Sequence, residues 1–205
     1  FLIAMVSLSS GMSGSAEAVT SNPISIGSDF DLDLKAASNG WSGNGTEGNP
    51  YIISNLEIDA TGYNFAIYLF DIHKHLVISN CILQNANLNG IAMVQVSNVR
   101  VENNAINNNG DQAILLYSSN NVTISGNYCT VNEDGGFLIQ DSSNISVIGN
   151  VISNSYDGLI LEHVDNSTVN NNLLTLIGAY GIYIYYSDNN TFSDNSIDDA
   201  LYVAY

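Results

Sequence analysis

Three side chains in this sequence, Asp141, Glu162 and His163, are capable of acid–base chemistry. Asp141 is separated by about one constant interval from the adjacent pair of Glu162 and His163. Asp141 and His163 are 22 residues apart, and so are Gln140 and Glu162. Glycosidic bond hydrolysis uses two carboxyl groups roughly 5 Å or 6.5–9.5 Å apart, and tyrosine rings pack against apolar faces such as those of sugars. The residues that would form a ligand-binding site of this kind are Tyr117, Gln140, Asp141, Glu162, His163, Tyr185 and Tyr186.

Two interpretations of this group are open. In the first, it binds neutral carbohydrate, and Asp141, Glu162 and His163 are the candidate catalytic residues. In the second, it is a solvated outer face whose polar side chains hydrogen-bond across neighbouring strands. The second is the commoner arrangement in proteins, so we assign no catalytic residue.

A second set of side chains could bind a metal ion. Carboxylate and amide oxygens are the ligands that Ca²⁺ prefers, and like charges brought close together repel unless a cation lies between them. Acids are also common in turns, where water screens them, so a calcium site is the less favoured of the two interpretations. The candidate metal ligands are Asp111, Glu133, Asp134 and Asp157.

The charge balance excludes several partners. Three Lys and Arg against 20 Asp and Glu give a net charge of 3 − 20 = −17. Nucleic acid binding needs several cations to neutralise phosphates, and binding to an anionic membrane surface or to a polyanionic sugar would be opposed in the same way. We therefore predict neutral carbohydrate or other cell-surface proteins as partners, with no nucleic acid and no membrane insertion of the mature domain.

A repeat of about 23 residues must position these side chains. Polar and apolar residues alternate within short segments, which is the period of a strand, and Asn, Gly, Ser and Asp separate the segments, as in turns. Asparagine tolerates the left-handed conformation that a tight turn needs, and stacked amides can hydrogen-bond to one another. Two asparagine columns follow the repeat: Asn80, Asn104, Asn127, Asn150, Asn172 and Asn195; and Asn98, Asn121, Asn144, Asn166 and Asn189.

Apolar columns keep the same period. They predict the interior of a solenoid whose successive coils stack about 4.8 Å apart. Two of them are Val77, Val101, Ile124, Val147, Val169 and Phe192; and Ile82, Ile106, Cys129, Ile152, Leu174 and Ile197. Cys129 then lies inside and about two coils from Cys81, too far for a disulfide, which needs Cα atoms within about 7 Å. We predict that the two cysteines do not pair.

These observations predict an all-β protein, a right-handed single-stranded parallel β-helix of about seven coils. The hand follows from the strong right-handed bias of parallel crossovers. We assign residues 50–205 to the coils and expect the helix to continue beyond the C-terminus. Residues 19–49, with one alternating stretch at Phe30-Asp-Leu-Asp-Leu34, are predicted to cap the open end.

Residues 1–18 are predicted to be the remnant of a signal peptide. The apolar run Phe1–Leu8 is too short to span a bilayer, which takes about 20 residues, and Ala16-Glu17-Ala18 fits an A-x-A cleavage site. A secreted, periplasmic or cell-surface location follows from this interpretation.

The repeat resembles a known group of proteins. Ser-Asn-Asn-Val-Thr-Ile-Ser-Gly-Asn at 119–127, Gly-Phe-Leu-Ile at 136–139, Gly-Asn-Gly-Thr at 43–46 and Asn-Pro-Tyr-Ile-Ile at 49–53 are similar to the repeats of NosD-type and pectin-lyase-like parallel β-helix proteins. The resemblance implies a secreted or cell-surface β-helix of the carbohydrate-binding and sugar-hydrolase type. Relatives of this kind include periplasmic factors for copper enzymes, surface proteins, and polysaccharide lyases, hydrolases and epimerases.

Three functions remain open at this point. A non-catalytic carbohydrate-binding or structural scaffold module is favoured, because the steps of 22–24 residues leave no long insertion that could wall a cleft. The alternatives are a glycan-active enzyme on the same fold and a NosD-like periplasmic accessory factor. No cofactor is predicted, apart from the calcium considered above.

Overall fold

A computed structural model describes residues 18–204 of the chain. The predicted signal segment lies almost wholly outside these residues. The strands, in chain order, are β1 (Val19–Thr20), β2 (Ile24–Ile26), β3 (Tyr51–Ser54), β4 (Leu56–Asp59), β5 (Ile67–Phe70), β6 (Leu76–Ser79), β7 (Ile82–Gln84), β8 (Ile91–Val94), β9 (Ser97–Glu102), β10 (Ala105–Asn107), β11 (Gln112–Tyr117), β12 (Asn120–Ser125), β13 (Tyr128–Thr130), β14 (Gly135–Ile148), β15 (Val151–Ser155), β16 (Asp157–Asp165), β17 (Thr168–Asn170), β18 (Leu173–Tyr185), β19 (Thr191–Ser193) and β20 (Ser196–Ala204).

The strands form a right-handed parallel β-solenoid of about seven turns with about 23 residues per turn, which confirms the predicted fold. Each strand pairs in parallel with the strand one turn later, and this pairing generates three ladders along the rod. Ladder 1 contains β2, β5, β8, β11, β14, β16, β18 and β20. Ladder 2 contains β3, β6, β9, β12, β14, β17 and β19. Ladder 3 contains β1, β4, β7, β10, β13, β15, β18 and β20.

The predicted register is wrong by one residue in the first full coil. Ile78, not Val77, pairs with Val101, and Leu83, not Ile82, pairs with Ile106. Because side chains alternate between the two faces of a strand, this shift moves Val77 and Ile82 to the outward-facing positions. The step to the next coil is therefore 23 residues in ladders 2 and 3, whereas Ile67 and Ile91 of ladder 1 pair at the predicted step of 24.

The two asparagine columns have different structural roles. Asn98, Asn121, Asn144, Asn166 and Asn189 all have φ between 53° and 60°, which is the left-handed turn conformation expected of Asn. Asn104, Asn127, Asn150 and Asn172 instead lie buried inside the rod and hydrogen-bond from coil to coil. The first position of this buried ladder belongs to Cys81, whose backbone N–H donates to Oδ1 of Asn104 at 2.9 Å.

An α-helix, α1 (Asp29–Asn39), covers the N-terminal end of the rod. The alternating stretch 30–34 is therefore helical and not a strand. The Ser28 hydroxyl caps the helix by accepting from the N–H of Asp31 at 3.1 Å, and Gly40 ends it with φ 68°. Leu32 and Ala36 are both buried while Leu34 between them is exposed; a strand would place all three on one face, whereas a helix separates Leu34 from the other two.

Parallel pairing starts within residues 19–49. Thr20 pairs with Glu57 and Ile24 with Ile67, so β1 and β2 already belong to ladders 3 and 1. Lys74 holds α1 against the coils, because its Nζ lies 2.6 Å from Oδ2 of Asp33. Residues 19–49 thus contribute two strands to the solenoid as well as α1, and their role as a cap stays a prediction.

Cys129 is buried and does not pair with Cys81, as predicted, and Cys81 is buried as well. Within residues 18–204, no helix is long and apolar enough to cross a membrane.

Candidate functional site

One row of the predicted site lies on the outer face of ladder 1. In this row Tyr117 pairs with Gln140, Gln140 with Glu162, and Glu162 with Tyr185. The strands β11, β14, β16 and β18 place these side chains outward because Leu116, Ile139, Leu161 and Ile184 occupy the preceding inward positions. Nε2 of Gln140 donates a hydrogen bond to Oε2 of Glu162, so the amide and carboxylate form a fixed polar pair between the two tyrosines.

The second row lies one residue further, where the chain turns from ladder 1 to ladder 2. Asp141, His163 and Tyr186 occupy this corner with φ of 48°, 52° and 44°. Asp and His adopt the left-handed region more readily than most residues, whereas it is unusual for tyrosine. The corner points all three side chains to the outside, and Nδ1 of His163 lies 3.6 Å from Oδ1 of Asp141.

Aromatic rings surround His163. Its imidazole stacks on the ring of Tyr186, with centroids 5.5 Å apart and planes within 14°, and Tyr185 meets it edge-on at 6.2 Å. The hydrogen bond with Tyr186, followed by desolvation and by the electrostatic effects of Tyr183 and Glu162, raises the pKa of the Tyr185 phenol above its ordinary value. The site therefore offers flat aromatic faces next to hydrogen-bonding groups.

Three further tyrosines extend the aromatic surface, and sequence reasoning missed them. Tyr183 stacks with Tyr185 at 6.3 Å, Tyr180 meets Tyr183 at 5.1 Å, and Tyr202 stacks on Tyr180 at 4.9 Å. The available signal was the alternation in β18, which puts Tyr183 and Tyr185 on the same outward face. The residues that Tyr202 contacts depend on how β20 pairs with β18, and the sequence of β18 alone does not give that pairing.

The site is a surface and not a cleft. The side chains of His163 and Asp141 are 57% and 48% exposed, so water reaches both. Tyr117 lies at the other end of the row, separated from Glu162 by Gln140. The structure thus brings the seven predicted residues onto one face, with the aromatic rings concentrated at Tyr185 and Tyr186.

The predicted acidic set lies at the edge of ladder 1. Burial, and then the charge of Asp134, raise the pKa of Asp111, and the same two causes raise the pKa of Asp157. The backbone N–H of Tyr180 donates to Oδ1 of Asp157 at 3.0 Å, which partly opposes that shift. Glu133 is exposed beside them.

Within residues 18–204, no three His, Cys, Asp or Glu side chains lie close enough together to hold a metal ion. Calcium binding by Asp111, Glu133, Asp134 and Asp157 stays a prediction.

A cleft of about 480 Å³ lies elsewhere, between α1 and the first strands. Trp41, Lys35, Asn39 and Leu56 are among its lining residues. It is at the N-terminal end of the rod, several coils from His163, and contains none of the residues predicted to bind a ligand. We place more weight on the outer face of ladder 1, because carboxylate, imidazole and aromatic side chains converge there.

Two solved structures resemble the fold. The enzymatically active domain of tailspike protein 2 from bacteriophage CBA120 aligns with a TM-score of 0.52 and 18% identity, covering 70% of this chain and 22% of that one. The A-module of mannuronan C-5 epimerase AlgE4 from Azotobacter vinelandii aligns with a TM-score of 0.54 and 14% identity, covering 75% of this chain and 61% of that one. This chain thus spans less than two thirds of either protein, and at these identities the likeness concerns the fold alone.

No curated protein sequence matches significantly. The narrower resemblance to NosD-type proteins stays a prediction. A protein-family model described as the right handed beta helix region matches residues 40–197, and the chain belongs to that family.

Proposed function

We propose that this protein is an extracellular β-helix module that binds neutral carbohydrate, without catalysis, on the outer face of ladder 1. The observation that carries the proposal is the stacking of His163 on Tyr186 beside the hydrogen-bonded pair Gln140–Glu162. Aromatic rings supply the flat apolar surface that the C–H face of a sugar needs, and the polar pair can hold its hydroxyl groups.

The charge of the protein supports a neutral ligand. A body of net charge −17 repels polyanionic polysaccharides. Asp141 and Glu162 add local negative charge at the site itself, whereas hydroxyl groups can donate hydrogen bonds to both carboxylates. A neutral glycan is therefore the class of ligand that meets no electrostatic penalty.

The exposure of the site supports binding over turnover. Catalysis needs a substrate held in a near-attack geometry and shielded from water, but the side chains of Asp141 and His163 are about half exposed on a convex rod. Binding on such a face buries little area, so we expect affinities in the weak range of roughly 0.1–10 mM.

A glycan-active enzyme is the second candidate. One observation favours it: Asp141 and His163 are within 3.6 Å of each other, next to Glu162, so two carboxylates and an imidazole share one surface. The titration and product analysis described next distinguish the enzyme from the binding module.

The test is an NMR titration of the ¹⁵N-labelled protein with neutral oligosaccharides of α- and β-linked glucose, mannose and galactose, with product analysis of each mixture. We expect shifts around His163 and Tyr185 without product formation. Asp141→Ala/His163→Ala should weaken binding at least tenfold. The matched control is Asp71→Ala/His73→Ala, since Asp71 occupies the same corner column and contacts His73 at 3.2 Å.

Each outcome of the titration supports or refutes one of the two candidate functions. Binding that survives Asp141→Ala/His163→Ala, or that the control pair abolishes equally, would remove this site. Failure of every neutral oligosaccharide to bind at about 50 mM, several times the weakest expected Kd, would refute carbohydrate binding. Turnover that Asp141→Ala/His163→Ala abolishes would establish the enzyme in place of the binding module.

A further inference from the structure

The cleft between α1 and the first strands has the size of a small-molecule site. Its volume of about 480 Å³ lies within the range of roughly 300–1,000 Å³ that is usual for such sites. Its lining combines apolar, hydroxyl, amide and ammonium groups. We define the N-terminal cleft by six of its lining residues, Ser21, Ile24, Lys35, Asn39, Trp41 and Leu56.

The walls of the cleft are held in place by the fold. One wall is the segment that joins β1 to β2, where the N–H of Ser21 donates to the carbonyl of Glu57 at 2.9 Å. The other wall is the last turn of α1, which is anchored just beyond its end because the N–H of Trp41 donates to the carbonyl of Ala36 at 2.9 Å. Walls that are already in position lower the entropic cost of binding a ligand.

The floor of the cleft is apolar and contains an indole ring. Ile24, Trp41 and Leu56 are half-buried and pack against the hydrophobic core, and all three also line the cleft. Trp41 is the only tryptophan of the chain. An indole offers a wide, rigid apolar surface at a low cost in side-chain entropy, and the C–H face of a sugar ring can pack on it.

Hydrogen-bond acceptors stand beside this floor. Nδ2 of Asn39 donates to the carbonyl of Lys35 at 2.8 Å and to Oγ of Ser38 at 3.3 Å. Oγ of Ser21 donates its proton to the carbonyl of Asn22 at 3.0 Å. Within residues 18–204, neither Oδ1 of Asn39 nor Oγ of Ser21 receives a hydrogen bond. Both oxygens can therefore accept from the hydroxyl groups of a ligand.

The charge of the cleft favours a neutral ligand. Among the lining residues within 18–204, Lys35 alone is charged, and its Nζ lies 3.4 Å from Oδ1 of Asp31, which partly balances it. An anionic group carries only acceptors, so it would compete with Asp31 for Lys35 and would face the acceptor oxygens of Asn39 and Ser21. A neutral ring with several hydroxyl groups can donate to those oxygens and accept from Lys35.

We infer that the N-terminal cleft is a second carbohydrate-binding site, which takes a neutral monosaccharide or disaccharide with one face of a sugar ring on Trp41. It shares no residue with the site on the outer face of ladder 1 and goes beyond the function proposed for that face. Because two walls enclose the ligand, the cleft buries more of a sugar than a convex surface does, so we expect tighter binding, with a Kd of roughly 0.1–1 mM.

The fluorescence of Trp41 tests the inference directly. Since the chain has no other tryptophan, emission excited where tyrosine does not absorb reports this cleft and not the tyrosines of ladder 1. The protein is titrated with glucose, mannose, galactose, maltose and cellobiose. We expect a saturable change in emission with at least one of these sugars, and at least fivefold weaker binding of glucuronate than of glucose.

Asn39→Ala removes an acceptor from the wall of the cleft and should raise the Kd at least fivefold. The side chain of Asn39 is exposed at the end of α1, so the melting temperature should be nearly unchanged. The control is Leu34→Ala, which truncates another exposed side chain of the same helix outside the cleft and should leave the Kd unchanged.

The two carbohydrate sites are scored separately. Asp141→Ala/His163→Ala should leave the titration of Trp41 fluorescence unchanged, and Asn39→Ala should leave the NMR shifts around His163 and Tyr185 unchanged. Failure of the cleft is therefore distinguishable from failure of the ladder 1 face.

Four results would overturn the second site. The first is the lack of a saturable change in emission with any of these sugars at about 20 mM, well above the expected Kd. The second is a Kd that Asn39→Ala leaves unchanged or that Leu34→Ala raises equally. The third is tighter binding of glucuronate than of glucose, which would identify an anion site. The fourth is loss of the Trp41 response in Asp141→Ala/His163→Ala.

Discussion

The side-chain amide of Asn127 donates to Oδ1 of Asn150 at 3.0 Å, and the same Oδ1 accepts the backbone N–H of Asn127 at 2.9 Å. The other amide hydrogen of Asn127 is donated to the carbonyl of Val101 at 2.9 Å. Asn104 repeats this pattern on Asn127, as do Asn150 and Asn172 on the next coils. Each buried amide is thus hydrogen-bonded by its neighbours, and the ladder specifies how one coil stacks on the next.

Asn127→Ala should destabilise the protein by about 3 kcal/mol or more, since each buried polar group left unsatisfied costs about 1–3 kcal/mol. The substitution removes the acceptor of the Asn104 N–H and amide groups and the donor to the carbonyl of Val101. The measurement is urea unfolding followed by circular dichroism. Asn121→Gly, at an exposed turn whose left-handed conformation glycine also adopts, is the control and should cost about 1 kcal/mol or less. Equal losses in the two variants would contradict the structural role of the buried ladder.

The pair of Asp33 and Lys74 predicts an acid-sensitive attachment of α1. The hydrogen bond from Lys74, and then that from the Tyr51 hydroxyl at 2.8 Å, lowers the pKa of Asp33 below its usual 3.8. A lowered folded-state pKa stabilises the protein above pH 3.8, and this contribution is lost as the pH falls through the folded-state value. Asp33 raises the pKa of Lys74, so the stabilisation of the folded protein that Lys74 contributes is lost only as the pH rises above 10.5.

Asp33→Asn should therefore destabilise the protein at pH 7 by about 1 kcal/mol, as for a partly exposed ion pair, and make little difference near pH 2. Thermal melting across this pH range measures both effects. Lys35→Ala, which removes the solvent-exposed pair of Lys35 and Asp31 in α1, is the control and should have a smaller effect. A pH-independent difference between Asp33→Asn and the wild type would show that the ion pair does not hold the cap.

The acids at the edge of ladder 1 predict the opposite pH dependence. Raised pKa values for Asp111 and Asp157 mean that the folded protein holds protons more tightly than the unfolded chain. Their repulsion with Asp134 is absent well below pH 3.8 and grows as the pH rises through that value, so it lowers stability at neutral pH.

Asp134→Asn should accordingly stabilise the protein at pH 7 by up to about 1 kcal/mol and leave its stability at pH 3 nearly unchanged. Urea unfolding at the two pH values, in the presence of a chelator, provides the measurement. Glu133→Gln changes the same charge on the neighbouring exposed residue and should have little effect. Destabilisation by Asp134→Asn at pH 7 would contradict the repulsion.

The sequence alone determined the solenoid, its period and the meeting of Asp141 with His163. The reason is that in a parallel β-helix each residue lies next to the residue one coil later, so spacing along the chain translates directly into contact in space. The same rule identified Gln140 as the neighbour of Glu162 and Val147 as an interior residue. It failed at Val77 and Ile82, because a single-residue offset between coils reverses the facing of every side chain in the strand.

Tertiary structure decided what the repeat does not encode. Residues 30–34 alternate like a strand, yet they form α1, because Ser28 caps the helix and Leu32 and Ala36 pack together on the end of the core. The stacking of His163 on Tyr186 depends on side-chain rotation at a left-handed corner. The stacking of Tyr202 on Tyr180 depends on how β20 pairs with β18, and the register of that pairing shifts between Ile177 and Tyr180 of β18. Periodicity sets which backbone positions are neighbours, but ring orientation and end packing follow from the whole set of surrounding atoms.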